Sequence, residues 1–196
     1  MITSKKEYLF YLEADRIALG KEKKKLPIIG QEIWKFERLL RKVEYYHNCK
    51  NHFPWNLYLF YLEGKLHFYG IFLGFELFLN TFGPGLSIAH YGTIIVNPHA
   101  KIGENCRLHT GVYIASQVGN FFKAPQIGNN VYIGPGAKIF GDIVIADDIA
   151  IGANAVVNKS FTERAITIAG APAKKISDKG SSELIINATA ILKDRL

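Results

Sequence analysis

A histidine interrupts a regular series of aliphatic residues near the middle of the chain. From Val96 onward, one residue in every six is valine, isoleucine or leucine, and six positions before Val96 stands His90. A second histidine, His109, follows nineteen residues later. Imidazole is the side chain that most readily takes and returns protons near neutral pH. Its presence at an aliphatic position therefore raises the question of a chemical role.

The elements that position this histidine are predicted by the period of six. The repeated aliphatic residues are Val96, Ile102, Leu108, Ile114, Ile127, Ile133, Ile139, Ile145, Ile151 and Val157, and a small or apolar residue stands two positions before most of them. Hexapeptide repeats are typical of a parallel β-helix, in which three short strands make a coil of about 18 residues and the coils stack about 4.8 Å apart. Residues 115–126 interrupt the period, which predicts a loop at a functional edge, with a tolerated insertion as the alternative.

The first part of the chain has a helical period instead. In residues 31–48, apolar side chains recur three or four positions apart, which predicts an amphipathic helix. The basic residues expected on its opposite face are Lys35, Arg38, Arg41 and Lys42. From Pro54, a segment rich in aromatic residues is apolar nearly all round. Because charged residues interrupt it, we expect no membrane span, and we expect burial in a subunit interface, with a membrane surface as the alternative.

Composition sets limits on the compartment and the partners. The formal charge is +7, and the first 50 residues hold twelve Lys or Arg against seven Asp or Glu. This surplus indicates either anionic partners or a solvated helical face; we predict no nucleic-acid partner. Two cysteines without a CxxC motif and a short N-terminal apolar run predict a cytoplasmic protein. The predicted organisation is a helical region (1–80), a β-helix domain (81–176) and a tail with a short helix (177–196).

Residues 83–176 resemble the hexapeptide-repeat acyltransferases, and most closely the serine acetyltransferases. The resemblance is carried by "HYGTIIVNPHAKIGENC", by "KAPQIGNNVYIGPGAKIFGDIVIADDIAIGANAVVNKS" and by "ITIAGAPAKKI". It implies a mainly β fold, a left-handed parallel β-helix, although general chirality rules for parallel crossovers would favour the opposite hand. It also implies homotrimers or dimers of trimers. The aromatic helical half is similar to the variant found beside surface-polysaccharide genes.

The resemblance implies acetyl transfer from acetyl-CoA to a hydroxyl, without a covalent enzyme intermediate. His90 in "AHYGT" aligns with the histidine of the family's "DHATG"-like stretch, which acts as the general base. His109 can lie one layer away and touch the acceptor or assist the base; a surface histidine is the alternative. Pro135 and Ala153 are expected to let the pantetheine arm of CoA pass close to the backbone.

Basic and polar residues near the end of the repeats match the family's CoA-binding positions. Asn158 and Lys159 stand where relatives have a Thr-Lys pair, and Lys174 matches a basic residue near the CoA phosphates. Lys175 is a weaker candidate. Solvated lysines are the alternative interpretation of this tail.

The sequence departs from the family where relatives hold their acceptor. Ala89 replaces an aspartate, Lys123 and Ala124 replace an Arg-His pair, and the aspartate that orients the catalytic histidine has no clear match. L-serine is the first acceptor that the resemblance implies, and a sugar hydroxyl of a surface polysaccharide is the alternative. A metal-dependent lyase and a non-catalytic scaffold are more distant alternatives. His99 lies half a coil from His90, so we predict no metal site within one subunit.

Overall fold

Three helices precede a stack of short strands in the computed structural model, which describes residues 1–24, 26–50 and 52–195. The helices are α1 (Lys5–Ala18), α2 (Glu32–Cys49) and α3 (Trp55–Leu73), and a short α4 (Ala188–Lys193) lies near the end. Leu196, the last residue of the predicted tail, lies outside the described residues. Strand β1 begins at Phe75, before the predicted boundary at residue 80, and the division into domains stays a prediction.

Fourteen strands, none longer than four residues, build the second part of the described chain. They are β1 (Phe75–Glu76), β2 (Ser87–Ile88), β3 (Ile94–Val96), β4 (Lys101–Ile102), β5 (Arg107–Leu108), β6 (Tyr113–Ala115), β7 (Gln126–Ile127), β8 (Tyr132–Ile133), β9 (Lys138–Phe140), β10 (Val144–Ile145), β11 (Ala150–Ile151), β12 (Val156–Val157), β13 (Thr167–Ala169) and β14 (Lys174–Ser177). Three sheets result, with the orders β1-β3-β6-β9-β12, β4-β7-β10 and β2-β5-β8-β11-β13-β14. Every pairing is parallel except β13 with β14.

The strand register confirms the coil predicted by the period of six. Ile95 pairs with Tyr113, and Tyr132 pairs with Ala150, each 18 residues further along the chain. Where residues 115–126 interrupt the pattern, the partners Arg107 and Tyr132 are 25 residues apart, so the loop adds seven residues to one coil. The architecture is a parallel β-helix preceded by helices.

The repeated aliphatic residues fill the interior of this prism. All ten are at most 4 % exposed, and equivalent side chains of successive coils stack on one another, as Leu108, Ile133 and Ile151 do in neighbouring strands. Each fully buried isoleucine contributes roughly 1.5–3 kcal/mol of transfer free energy. The hydrophobic effect therefore acts on the same pattern that the sequence displays.

Buried charges join the helices to the first coil. Arg41 is fully buried; its Nε donates to Asp15 Oδ2 at 2.8 Å, and its Nη2 donates to the carbonyl of Gly83 at 2.6 Å. Asp15 in turn accepts the backbone N–H groups of Gly85 and Leu86. The expectation that Arg41 lies on the solvated face of α2 is therefore wrong. The physical reason is that the prism supplies carbonyls and α1 supplies a carboxylate, which together satisfy a buried guanidinium.

Helix α3 has two apolar faces, of which only one is covered in this chain. Leu59 and Leu62 pack against Leu39 and Val43 of α2. The opposite face carries Phe60, Phe68 and Phe72, each more than 70 % exposed, among other large apolar side chains. The predicted burial of this helix in a subunit interface stays a prediction. None of the described helices is long and apolar enough to cross a membrane.

Candidate active site

His90 lies in a corner of the prism that is wider than the corner in the next coil. Ile88 pairs with Leu108 and Ile95 pairs with Tyr113. Ile95 lies seven positions after Ile88 in the sequence, whereas the equivalent residue of the next coil, Tyr113, lies only five positions after Leu108. The two extra residues push the backbone outward, and His90 is exposed. The imidazole therefore stands where the coil no longer points a side chain into the core.

The end of α3 holds this corner in place. The N–H of Ala89 donates to the carbonyl of Leu108, and the N–H of Gly92 donates to the carbonyl of Leu73, both at 2.9 Å. Gly74, the C-cap of α3, has a φ of 80°, and a Cβ at this position would lie 2.9 Å from the carbonyl carbon of Gly92. Only glycine meets both requirements, because its missing Cβ permits the left-handed conformation and the close approach. The helical region thus positions the exposed histidine.

His109 lies directly beside His90. The two ring centroids are 6.1 Å apart, and the His109 ring also packs against Tyr132 at 5.1 Å. Burial lowers the pKa of His109, and the electrostatic influence of the neighbouring Arg107 and His90 lowers it further. Its Nε2 is buried and has no hydrogen-bond partner among the described residues. A neutral imidazole whose Nε2 has no hydrogen-bond partner, next to the exposed imidazole of His90, is suited to proton transfer or to binding a hydroxyl.

The predicted catalytic and pantetheine-binding residues occupy one edge of the prism. In the six-stranded sheet, Ile88, Leu108, Ile133 and Ile151 occupy equivalent positions of successive coils. Two residues beyond these positions stand His90, Thr110, Pro135 and Ala153. Pro135 and Ala153 are exposed, and the carbonyl of Pro135 accepts the N–H of Asn154 at 2.8 Å. The edge therefore leads from the imidazole pair down to the small residues, about 4.8 Å per coil.

The remaining predicted CoA-binding residues lie on the surface, and the lysines among them differ in whether a carboxylate pairs with their charge. Asn158 and Lys159 are exposed after β12, and the Lys159 ammonium lies 5.4 Å from the centroid of the Phe161 ring. Lys174 is exposed on β14 and makes no ion pair within the described chain. Lys175 binds Glu163 and Asp178, which raise its pKa. Lys174 is thus the better placed of the two to meet a phosphate.

Sequence reasoning missed the buried carboxyl of Glu37. Glu37 is fully buried, and its Oε1 accepts the backbone N–H of Ile88 at 2.9 Å, two residues before His90. Burial, with a smaller effect of Asp15, raises the pKa of Glu37 well above 4.5. Its spacing from Ile33 and Leu40 puts it within the apolar stripe of α2, which was the available signal.

His99 lies apart from the imidazole pair. His99 packs against the loop aromatics Phe121 and Phe122, with ring centroids 5.3 and 4.8 Å away. No group of three or more potential metal ligands occurs in the described part of the chain. The His90 side chain itself makes no hydrogen bond with any residue that the structure describes.

Comparison with known proteins agrees with the repeats and with the fold. The family model described as bacterial transferase hexapeptide (six repeats) matches residues 124–159. The serine acetyltransferase of Helicobacter pylori strain J99 is 37 % identical over 97 residues, which are 48 % of this chain and 56 % of that protein. The chain thus contains hexapeptide repeats and is similar in sequence to serine acetyltransferases over about half of its length. It spans only about half the length of the curated proteins that it matches.

Solved structures extend the likeness of fold to the helical region. Neisseria gonorrhoeae serine acetyltransferase, solved in complex with serine, has a TM-score of 0.69 at 22 % identity, over 89 % of this chain and 71 % of that chain. Serine acetyltransferase of Brucella abortus strain S19, solved in complex with coenzyme A, has a TM-score of 0.67 at 22 % identity, over 90 % and 70 %. The helices and the β-helix therefore share one fold with these proteins.

Proposed function

We propose that the protein is an acetyl-CoA-dependent O-acetyltransferase that acetylates the hydroxyl of a small acceptor, with L-serine as the first candidate. The observation that carries this proposal is the single edge on which His90, Pro135 and Ala153 succeed one another. The curated relative from Helicobacter pylori is named for the same reaction, and the two solved neighbours hold serine and coenzyme A.

In the proposed reaction, His90 takes the proton of the acceptor hydroxyl as its oxygen attacks the thioester carbonyl. The tetrahedral intermediate carries an oxyanion, which backbone N–H groups stabilise best. When the carbon–sulfur bond breaks, the imidazolium returns the proton to the CoA sulfur. The acetyl ester and free CoA thiol leave, and His90 is again neutral. His109, kept neutral by burial, supports the hydroxyl or the imidazole through a hydrogen bond.

In the same proposal, CoA lies along the edge below His90. The pantetheine arm passes Pro135 and Ala153, where exposed small or cyclic residues leave the backbone accessible. Asn158, Lys159 and Lys174 bind its polar and phosphate groups through hydrogen bonds and charge. Lys175 contributes less, because two carboxylates already bind its ammonium group.

The proposed assembly is a homotrimer or a dimer of trimers of left-handed β-helices, in the cytoplasm. The exposed edge of the prism leaves one side of the CoA path without a wall, and the exposed aromatic face of α3 offers a further contact surface. Neighbouring protomers would supply the missing wall. Sedimentation of the purified full chain measures the number of protomers, and a monomer at working concentration would contradict the shared cleft.

Thiol release from acetyl-CoA, with and without L-serine, tests the proposed reaction. We expect serine-dependent release, and we expect His90→Asn to lower the rate about 10²- to 10⁴-fold, because a positioned general base contributes that much. His99→Asn is the matched control and should retain the rate, since His99 packs on Phe121 and Phe122 of the 115–126 loop and not beside His90. An unchanged rate for His90→Asn would refute the assignment of the base.

A sugar hydroxyl is the second candidate acceptor, and one observation favours it. Lys123 and Ala124 stand where serine acetyltransferases have an Arg-His pair that helps to hold the amino acid. Lys123 binds Asp142 at 3.0 Å and Ala124 is only 2 % exposed, so neither replaces that pair. Release of thiol with a sugar but not with serine would decide for this candidate, whereas no release with any acceptor would favour a scaffold.

A further inference from the structure

A pocket adjoins the His90 corner on the side of the helical region. It has a volume of about 280 Å³, and its walls come from the connection between α1 and α2 and from the first turn of α2. Ala89 and Tyr91, the two neighbours of His90, line it together with Arg107, which is two residues before His109. A molecule in this pocket would therefore lie against the backbone on both sides of His90 and beside Arg107.

The lining of this pocket is rich in hydrogen-bond donors. It contains the cations of Arg107 and Lys21, neither of which makes an ion pair with any described residue. The Arg107 guanidinium is oriented by Ser87, whose Oγ accepts from Nη1 at 2.9 Å. Four of the five guanidinium N–H groups thus remain available for a ligand.

Trp34 is a further hydrogen-bond donor at this pocket. Its side chain lines the pocket, is 1 % exposed and has an indole N–H without an acceptor among the described residues. A buried donor left without a partner costs about 1–3 kcal/mol. The first turn of α2 also lines the pocket, and its N-cap Gln31 makes no side-chain capping bond.

The pocket offers little to a positively charged group. Glu32 is the one acidic residue among those that line it. Its carboxylate already accepts hydrogen bonds from the Lys35 ammonium at 2.7 Å and from the Tyr69 hydroxyl. An anion therefore gains more in this pocket than an ammonium group does.

A larger cavity of about 630 Å³ on the other side of the corner has the opposite character. It lies between α3 and the first coil, and its lining is apolar apart from Glu63, His67, Glu76 and Thr93. Of the two cavities beside the corner, the pocket of Arg107 is thus the one rich in hydrogen-bond donors.

We propose that Arg107 determines the acceptor specificity of the enzyme by binding the anionic group, a carboxylate or a phosphate, of a small hydroxyl compound whose hydroxyl faces His90. The acceptor is recognised through its negative charge and not through an ammonium group. Arg107 thereby supplies the anion recognition that Lys123 and Ala124 do not provide. This inference rests on the proposed acetyl transfer.

The test compares acceptors that differ in their charged groups. L-Serine has both charges, 3-hydroxypropanoate lacks the ammonium group, serinamide lacks the carboxylate, and glycerol 3-phosphate has a phosphate in place of the carboxylate and no ammonium group. We expect the wild-type protein to acetylate 3-hydroxypropanoate or glycerol 3-phosphate with a kcat/KM at least equal to that for serine, and serinamide about 10- to 100-fold less well, because a charged hydrogen bond is lost. A higher kcat/KM for 3-hydroxypropanoate identifies a carboxylate as the natural anion, and a higher kcat/KM for glycerol 3-phosphate identifies a phosphate.

The variant Arg107→Gln should abolish this discrimination. We expect it to raise the KM of anionic acceptors about 10- to 100-fold, while the KM of acetyl-CoA and the KM of serinamide stay close to their wild-type values. Arg164→Gln is the matched control, since Arg164 binds Asp147 and Asp148 on another part of the coil surface, and it should behave as wild type. Equal losses for serine and serinamide in Arg107→Gln, or equal use of both by wild type, would overturn the inference.

A binding measurement separates this inference from the proposed function. The chain has two tryptophans, Trp34 and Trp55, so the indole ¹H–¹⁵N signal of Trp34 is assigned with a Trp55→Phe variant. We expect 3-hydroxypropanoate or inorganic phosphate to shift this signal in wild type but not in Arg107→Gln. If no acceptor supports thiol release and the shift still occurs, the proposed reaction fails and the anion site stands. If the shift is absent or survives Arg107→Gln, the anion site fails.

Discussion

The prism and the helical region are stabilised by the same forces but relate to the sequence in different ways. In the prism, Ile133 contacts its equivalents one coil away on either side, so the contacts repeat with the pattern of the chain. In the helical region, Arg41 binds Asp15, 26 residues before it, and the carbonyl of Gly83, 42 residues after it. A regular repeat makes long-range contacts predictable, whereas an isolated polar cluster depends on how separate elements meet.

The largest effect on stability is expected from breaking the buried charge cluster of the helical region. Arg41→Met removes the cation that Asp15 and Glu44 surround, and it should lower the free energy of unfolding by about 3–5 kcal/mol. Arg38→Met on the same helix, at a half-buried position, should change it by about 0.5 kcal/mol or less. Urea unfolding of both variants measures the difference. Similar values for the two would mean that the cluster does not join helices and prism.

A core substitution in the prism should have a somewhat smaller effect. Ile133→Ala leaves a cavity in the middle of the stack and should cost about 2–4 kcal/mol, because Ile133 is fully buried between two coils. Ile176→Ala, at a side chain that is 64 % exposed, is the control and should be nearly neutral. If Ile133→Ala were also neutral, the stacked aliphatics would not be the main stabilising contact of the prism.

The dependence of stability on pH should single out the helical region. The folded-state pKa of Glu37 is raised, so its contribution to stability is complete below the unfolded pKa near 4.5 and is lost as the pH rises through the folded pKa. Glu37→Gln keeps an acceptor for the Ile88 N–H and cannot ionise. We expect its stability to fall less with rising pH than that of wild type, by at most about 1.4 kcal/mol per pH unit. Glu163→Gln, at an exposed site, should keep the wild-type slope, and identical slopes for all three proteins would contradict a pKa of Glu37 that burial raises.

The smallest expected effect is a shift in the titration of the imidazole beside His90. Arg107 lowers the pKa of His109, so Arg107→Gln should raise that pKa towards its ordinary value, while burial continues to hold it down. NMR titration of the histidine side-chain signals measures the shift, and Arg164→Gln serves as the control. A pKa that stays constant or falls in Arg107→Gln would contradict the charge coupling at the edge of the prism.

The sequence by itself determined the prism, because an aliphatic residue at every sixth position is buried throughout when equivalent coils stack on one another. It also indicated His90 as an interruption of that period, and Pro135 and Ala153 as positions one coil apart. The two extra residues of the His90 corner and the alignment of all these residues along one edge became visible only from the strand register.

The tertiary structure alone decided where the isolated polar residues of the helical region lie. Helical periodicity placed Arg41 among the solvated lysines and gave Glu37 no special role, yet both are fully buried. The carbonyls, N–H groups and carboxylates that satisfy them come from distant parts of the chain, and no local pattern encodes such a meeting. The pocket of Arg107 and Trp34 has the same origin, because its walls belong to the connection between α1 and α2, to α2 and to the first two coils. Short-range regularity therefore specifies the scaffold, and long-range polar complementarity specifies what surrounds its histidine.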